Sequence, residues 1–195
     1  NATALNFIAS GIGGNLIATA TTGNITQSTG ALTVGGTSTL VTTAQEATID
    51  LSTITTNAFT GALTITTNDN AGADADVIID GGTTALIVAA STIDGDLTLT
   101  SGATAGITDS GTVTVLGDIY LITDAGNGVI DMGTLAVTGS VDLATHGSGD
   151  ATLVNATALD FAASTVGGEL TATATTGDIT QSGSLDINGT GTTTI

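Results

Sequence analysis

Residues 1–28 read NATALNFIASGIGGNLIATATTGNITQS, and residues 155–182 read NATALDFAASTVGGELTATATTGDITQS. The two stretches align without a gap and agree at 21 of 28 positions. A repeat of that length makes the chain an array. Each unit of an array buries its apolar face only against its neighbours.

A shorter period lies inside the long one. Cut before each apolar x-L-x-[VF]-like pattern, the chain falls into lines at 4–30, 31–57, 58–84, 85–111, 112–133, 134–157 and 158–183, with 184–195 opening another. The first four lines hold 27 residues and the next three 22, 24 and 26. Six lines span 154 residues, which is also the offset from Asn1 to Asn155. A period in the twenties belongs to solenoids.

Each line carries about three apolar pulses: Leu5/Phe7, Leu16/Ala18 and Ile25 in the first, Leu86/Val88, Leu97/Leu99 and Ile107 in the fourth. Their alternation has period two, so each pulse is a short strand with one face buried. Glycine pairs at 13–14, 35–36, 81–82 and 167–168 mark corners. The chain has no Pro, so every residue keeps the N–H that a stacked coil needs. The expected fold is all-β, a parallel β-helix of about seven coils of 22–27 residues with three strands per coil. It forms a single segment over 1–195, with a 154-residue super-repeat complete at 1–154 and partial at 155–195. Phe7, Phe59 and Phe161 are expected at about the same point of their coils. No polar cap is evident, so open strand edges are expected to take further coils of a neighbouring repeat or of another copy.

Composition narrows the function. The formal charge is −18 with no Lys or Arg, and the acids are scattered. Such a surface repels nucleic acid and anionic lipid, and no stretch reads as a membrane span. There is no Cys, so disulfides play no part. The absence of Lys and Arg also removes every trypsin-type cleavage site, which suits a protein outside a cell.

The pattern A-L-x-F-x-A-S-x-[VI]-G-G-x-L-x-A-T-A-T-T-G-x-I-T-Q-S resembles the shaft repeats of large secreted bacterial adhesins, the filamentous haemagglutinin-like exoproteins of two-partner secretion. Repetitive autotransporter adhesins look similar. The resemblance implies a right-handed parallel β-helix, export to the bacterial cell surface, and adhesion or biofilm roles. The family's N-P-N-L secretion motif is missing, so the stretch corresponds to shaft.

Several constellations invite a chemical reading. His146, the only His, lies near Ser148 and Asp150, but a spacing of two in a Gly-rich corner does not make a triad. Asp74/Asp76 and Asp94/Asp96 are i, i+2 carboxylate pairs, expected at different coil positions and so not as one cleft. With no basic residue to serve it, enzymatic activity is not expected. Asp69, Asp74 and Asp76, in the segment NDNAGADAD, are the candidate calcium ligands, since hard cations take oxygen donors. Their spacing matches no EF-hand, and no other cofactor is expected. Threonine pairs (Thr64/Thr66, Thr98/Thr100, Thr112/Thr114, Thr171/Thr173/Thr175) raise an ice-binding surface as an alternative, although their coil positions differ. Sequons begin at Asn1, Asn24, Asn155 and Asn188, frequent by chance in so Thr-rich a chain. Between the two copies Asn6, Asn15 and Asn24 become Asp160, Glu169 and Asp178, so all six are expected to face solvent.

Overall fold

The computed structural model describes residues 3–68 and 74–195. Coil 1 runs through β1 (Leu5–Phe7), β2 (Ser10–Ile12) and β3 (Leu16–Ala20). Coil 2 repeats the route with β4 (Ile25–Gln27), β5 (Leu32–Val34) and β6 (Ser38–Thr42). Coil 3 follows with β7 (Ile49–Leu51), β8 (Ala58–Phe59) and β9 (Leu63–Thr66). Coil 4 holds β10 (Val77–Asp80), β11 (Leu86–Val88) and β12 (Ser91–Ile93), and coil 5 holds β13 (Leu97–Ser101), β14 (Ile107–Asp109) and β15 (Val113–Val115). Coils 6 and 7 have two strands each: β16 (Ile119–Thr123) with β17 (Ile130–Val137), then β18 (Ser140–Ala144) with β19 (Ala151–Asn155). Coil 8 is β20 (Leu159–Phe161), β21 (Ser164–Val166) and β22 (Leu170–Ala174), and β23 (Ile179–Gln181) and β24 (Leu185–Ile187) lie above it.

The result is an all-β parallel solenoid of about eight turns, without helix among the described residues and consistent with right-handed winding. One wall is an eleven-stranded sheet that contains β1, β4, β7, β10, β13, β16, β18, β20 and β23. A ten-stranded sheet, from β3 through β9 to β22, forms the second wall. Among the described residues, a third, three-stranded wall of β2, β5 and β8 is confined to coils 1–3. Beyond it, β11 and β12 both pair with β9, and β14 and β15 both pair with the eight-residue β17.

The coil closes earlier than the sequence lines do. Leu5 stacks directly on Ile25, so the third pulse of each line begins the next coil. Coil length varies along this wall, and the step from Leu5 to Ile25 is shorter than that from Ile49 to Val77. Seven steps, not six, lead from β1 to its repeat counterpart β20. The 154-residue offset then gives coils of about 22 residues, within the range of solenoid repeats. Apolar alternation marks strands but not the wall on which each lies, and that is set by the corners. Phe7 and Phe161 lie on the eleven-stranded sheet, whereas Phe59 lies in β8 on the three-stranded one, so the aromatics do not share one point of the coil.

Stacking puts like on like. Ile25, Ile49, Val77, Leu97, Ile119 and Val141 form one fully buried file. Ile107, Ile130, Ala151 and Leu170 form another on the facing wall. Two buried amides bond backbone groups beside these files. Asn57 accepts the Leu32 N–H at 2.9 Å and exchanges hydrogen bonds with Gln27, while its amide donates to the Leu51 and Asp80 carbonyls. Asn155 is equally buried, and its Oδ1 accepts the Val137 N–H at 2.9 Å. Its sequon is therefore closed to modification in the fold, that of Asn1 lies outside the described residues, and Asn24 and Asn188 are exposed.

Among the six positions expected to face solvent, Asn6, Asn15, Asn24, Glu169 and Asp178 are exposed and Asp160 is half-buried. The exchange of Asn6 for Asp160 follows from hydroxyl chemistry. Asn6 Nδ2 donates to Ser28 Oγ, whereas Ser182 Oγ donates to Asp160, because a hydroxyl serves either way.

The packing sets the cost of two substitutions. Phe161→Ala lowers stability by about 3–5 kcal/mol in chemical denaturation, through lost burial and the cavity left. Gly106→Ala is at least as damaging, since Gly106 has φ of 61° and an added Cβ would strike the Val129 carbonyl of the next coil. A Gly106→Ala chain as stable as the parent contradicts the stacking.

Candidate functional site

The acidic residues are organised by the corners. Asp76, Asp96 and Asp118 stack one coil apart on the corner that leads into the eleven-stranded sheet. Asp76 Oδ1 accepts the Asp96 N–H at 2.9 Å, Asp96 Oδ1 the Asp118 N–H at 2.8 Å, and Asp118 Oδ1 the Ser140 N–H at 2.6 Å. Each accepting carboxylate lies against a glycine of the next coil: Gly95, Gly117 and Gly139 would each strike it with a Cβ. The dipeptide Gly-Asp is thus a unit in which the glycine makes room and the carboxylate replaces a carbonyl acceptor that the bend removes. Asn15, Asn24, Asn127 and Asp150 do the same for the N–H groups of Thr37, Thr48, Ser148 and Glu169. Asp76 and Asp96, expected at different coil positions, instead share one, since the Asp96 N–H donates to Asp76. The recurrence of Gly-Asp at 95–96 and 117–118, one coil apart, is the signal that would have found the column.

Burial and hydroxyl hydrogen bonds set the electrostatics of these acids. Burial pushes the Asp142 carboxyl up. Burial also raises Asp80, against the Gly82 N–H that lowers it, and Asp124 raises it further. Asp160, bonded by Ser182 and Thr180, is held below the ordinary carboxylate range. The Tyr120 phenol is raised, first by burial and then by the charges of Asp118, Asp96 and Asp142.

Of the candidate calcium ligands, Asp69 lies outside the described residues, Asp74 is exposed and Asp76 is half-buried with Oδ1 committed to Asp96. Among the described residues no three acidic or histidine side chains converge on one point as a cation cage requires. His146, Ser148 and Asp150 are exposed on one turn, and Asp150 Oδ1 is taken by the Glu169 N–H of the next coil. Threonines are better aligned than their spacing implied. Thr66, Thr92 and Thr114 form a file on the outer side of the ten-stranded sheet, bounded by Val41 and Ala136. Thr64, Thr171 and Thr173 share that sheet, and Thr98 and Thr100 lie on the other. No helix among the described residues is long and apolar enough to cross a membrane.

A family model described as repeats of unknown function (DUF5649) matches residues 1–66, 74–132 and 148–195. No curated protein and no solved structure matches the chain.

The corner column distinguishes two substitutions at Asp96. Asp96→Asn keeps the acceptor and holds Tm, whereas Asp96→Ala strands the Asp118 N–H and costs about 1–3 kcal/mol. Equal losses in both variants would mean that charge, not the acceptor, matters there. Asp80 has a pKa raised by folding, so its contribution to stability is full below the unfolded carboxylate pKa and is lost as pH rises through the folded value. Asp80→Asn keeps an acceptor for Gly82, and it therefore raises Tm at pH 7 and flattens the fall in Tm above about pH 4. A lower Tm at pH 7 contradicts this reading.

Proposed function

We propose that this chain, which belongs to the DUF5649 family of repeats, is a structural segment of an extracellular bacterial shaft or filament, with length rather than chemistry as its product. One observation carries this reading. The acidic and amide side chains at the corners spend their oxygens on the backbone of the next coil, so the polar inventory serves elongation. The composition supports the extracellular setting, since a chain without Lys or Arg offers trypsin-type proteases nothing to cut. A surface of formal charge −18 also keeps neighbouring rods apart at low salt. The likeness to haemagglutinin-type shaft repeats supports the same role.

A second reading has one observation in its favour. The Thr66–Thr92–Thr114 file spaces hydroxyl and methyl groups at the coil repeat of about 4.8 Å, as an ice-facing surface requires. Thermal hysteresis of the purified chain at high concentration would support it, and freezing without hysteresis would end it.

The shaft reading is tested on cells that produce the protein. Antibodies to the chain are expected to label intact cells and to decorate thin projections in electron microscopy. Labelling only after permeabilisation would contradict it.

A further inference from the structure

The motif L-x-[FV]-x-A-S occurs at 5–10, 86–91 and 159–164. Twice it meets a coil beneath it, and both meetings have the same geometry. In coil 4, β11 and β12 together cover the single strand β9, with Leu63 under Val88 and Thr66 under Thr92. In coil 8, β20 and β21 together cover β18, with Val141 under Phe161 and Ala144 under Thr165. In both, three steps below are matched by four above, so the ladder breaks in the middle. The serine hydroxyl closes the break. Ser91 Oγ accepts the Ile65 N–H at 3.0 Å, and Ser164 Oγ accepts the Leu143 N–H at 3.1 Å. Each hydroxyl turns its own proton back to the carbonyl two residues earlier, Ala89 or Ala162. Beside the break, the Ala89 and Ala162 N–H groups reach down to the Leu63 and Val141 carbonyls.

Coil 1 carries the third motif with its lower side open. Ser10 Oγ already donates to the Ile8 carbonyl at 2.8 Å, the same back-turned geometry, and among the described residues no donor reaches it. Leu5 and Phe7 are half-buried, whereas their counterparts Leu159 and Phe161 are each 1% exposed. A Cβ on Gly13 or Gly14 would meet nothing within 4 Å. On the counterparts Gly167 and Gly168 it would strike the Gly147 carbonyl and the Asp150 carboxylate of the coil below.

We infer that the lower face of coil 1 receives a further coil whose strand under β1 and β2 is continuous, as β9 and β18 are, and whose middle N–H is taken by Ser10. The occupant is a coil of the type formed by β18 and β19, supplied by a tandem super-repeat. The interface between coils 7 and 8 is its template. A second copy docking through its uppermost coil does not meet this requirement, because that coil presents β23 and β24 as separate strands. The inference rests on the shaft reading, but the two fail separately: cell-surface labelling tests the shaft, and the experiment below tests only the coil interface.

A chain is prepared in which a second copy of residues 113–154 precedes residue 1, joined as Val154 is to Asn155. In the 195-residue chain, Ser164→Ala is expected to lower Tm and Ser10→Ala to leave it unchanged. In the extended chain, Ser10→Ala is expected to lower Tm as Ser164→Ala does, and amide exchange at Ile8, the counterpart of Ala162, to slow at least about tenfold. Appended residues that exchange as an unfolded tail overturn the inference. So does a Ser10→Ala change that is silent in the extended chain. End-to-end assembly of the 195-residue chain that protects Ile8 regardless of Ser10 overturns it as well, in favour of a second copy.

Discussion

The backbone hydrogen bond from one coil to the next is the constraint on which the rest of this structure depends. Each coil has its partners only above and below, at the sheet spacing of about 4.8 Å. Whatever occupies a position must therefore tolerate its counterpart one coil away. Apolar residues meet this condition without difficulty, and Ile25, Ile49, Val77, Leu97, Ile119 and Val141 form a continuous file. Corners do not, because a bend turns the chain out of the ladder and leaves N–H groups without carbonyls. The chain fills those vacancies with side-chain acceptors: Asx oxygens at the corners, Asn57 and Asn155 inside, and serine hydroxyls where the ladder breaks.

This division of labour accounts for the unusual composition. Acceptors alone are needed at the corners, so Asn and Asp serve equally and no basic partner is required. Asp76, Asp96 and Asp118 each receive an N–H from the coil above, a charge-assisted bond that holds the carboxylate at its corner. Burial raises the pKa values of Asp80, Asp142 and Tyr120, and neighbouring carboxylates add to the shift at Asp80 and Tyr120. Substitution between the two repeat copies follows the same rule. Asn6 and Asp160 both bond a serine hydroxyl of the next coil, one as donor and the other as acceptor.

The fold class was legible in the sequence because period-two alternation and a repeat in the twenties leave few architectures. The phase of the coil was not. Leu5 and Ile25 look like successive pulses of one line, yet they stack on each other, since closure depends on corners that apolar patterning does not encode. The carboxylate column was missed for the same reason. Lines cut at the longer period put Asp76 and Asp96 out of register, whereas in coils of about 22 residues they coincide. The serine acceptors were visible only as part of A-S in a recurring line. Their role emerges from a bulge that needs both coils to be seen.

The central claim is that the 154-residue repeat is seven stacked coils. The chain has no Cys, so spin labels can be placed at Asn15→Cys and Glu169→Cys, the exposed counterparts in coils 1 and 8. The predicted result is a pulsed electron-resonance distance centred at about 34 Å, which is seven coil spacings. A distance centred at about 29 Å, six spacings, would contradict the account.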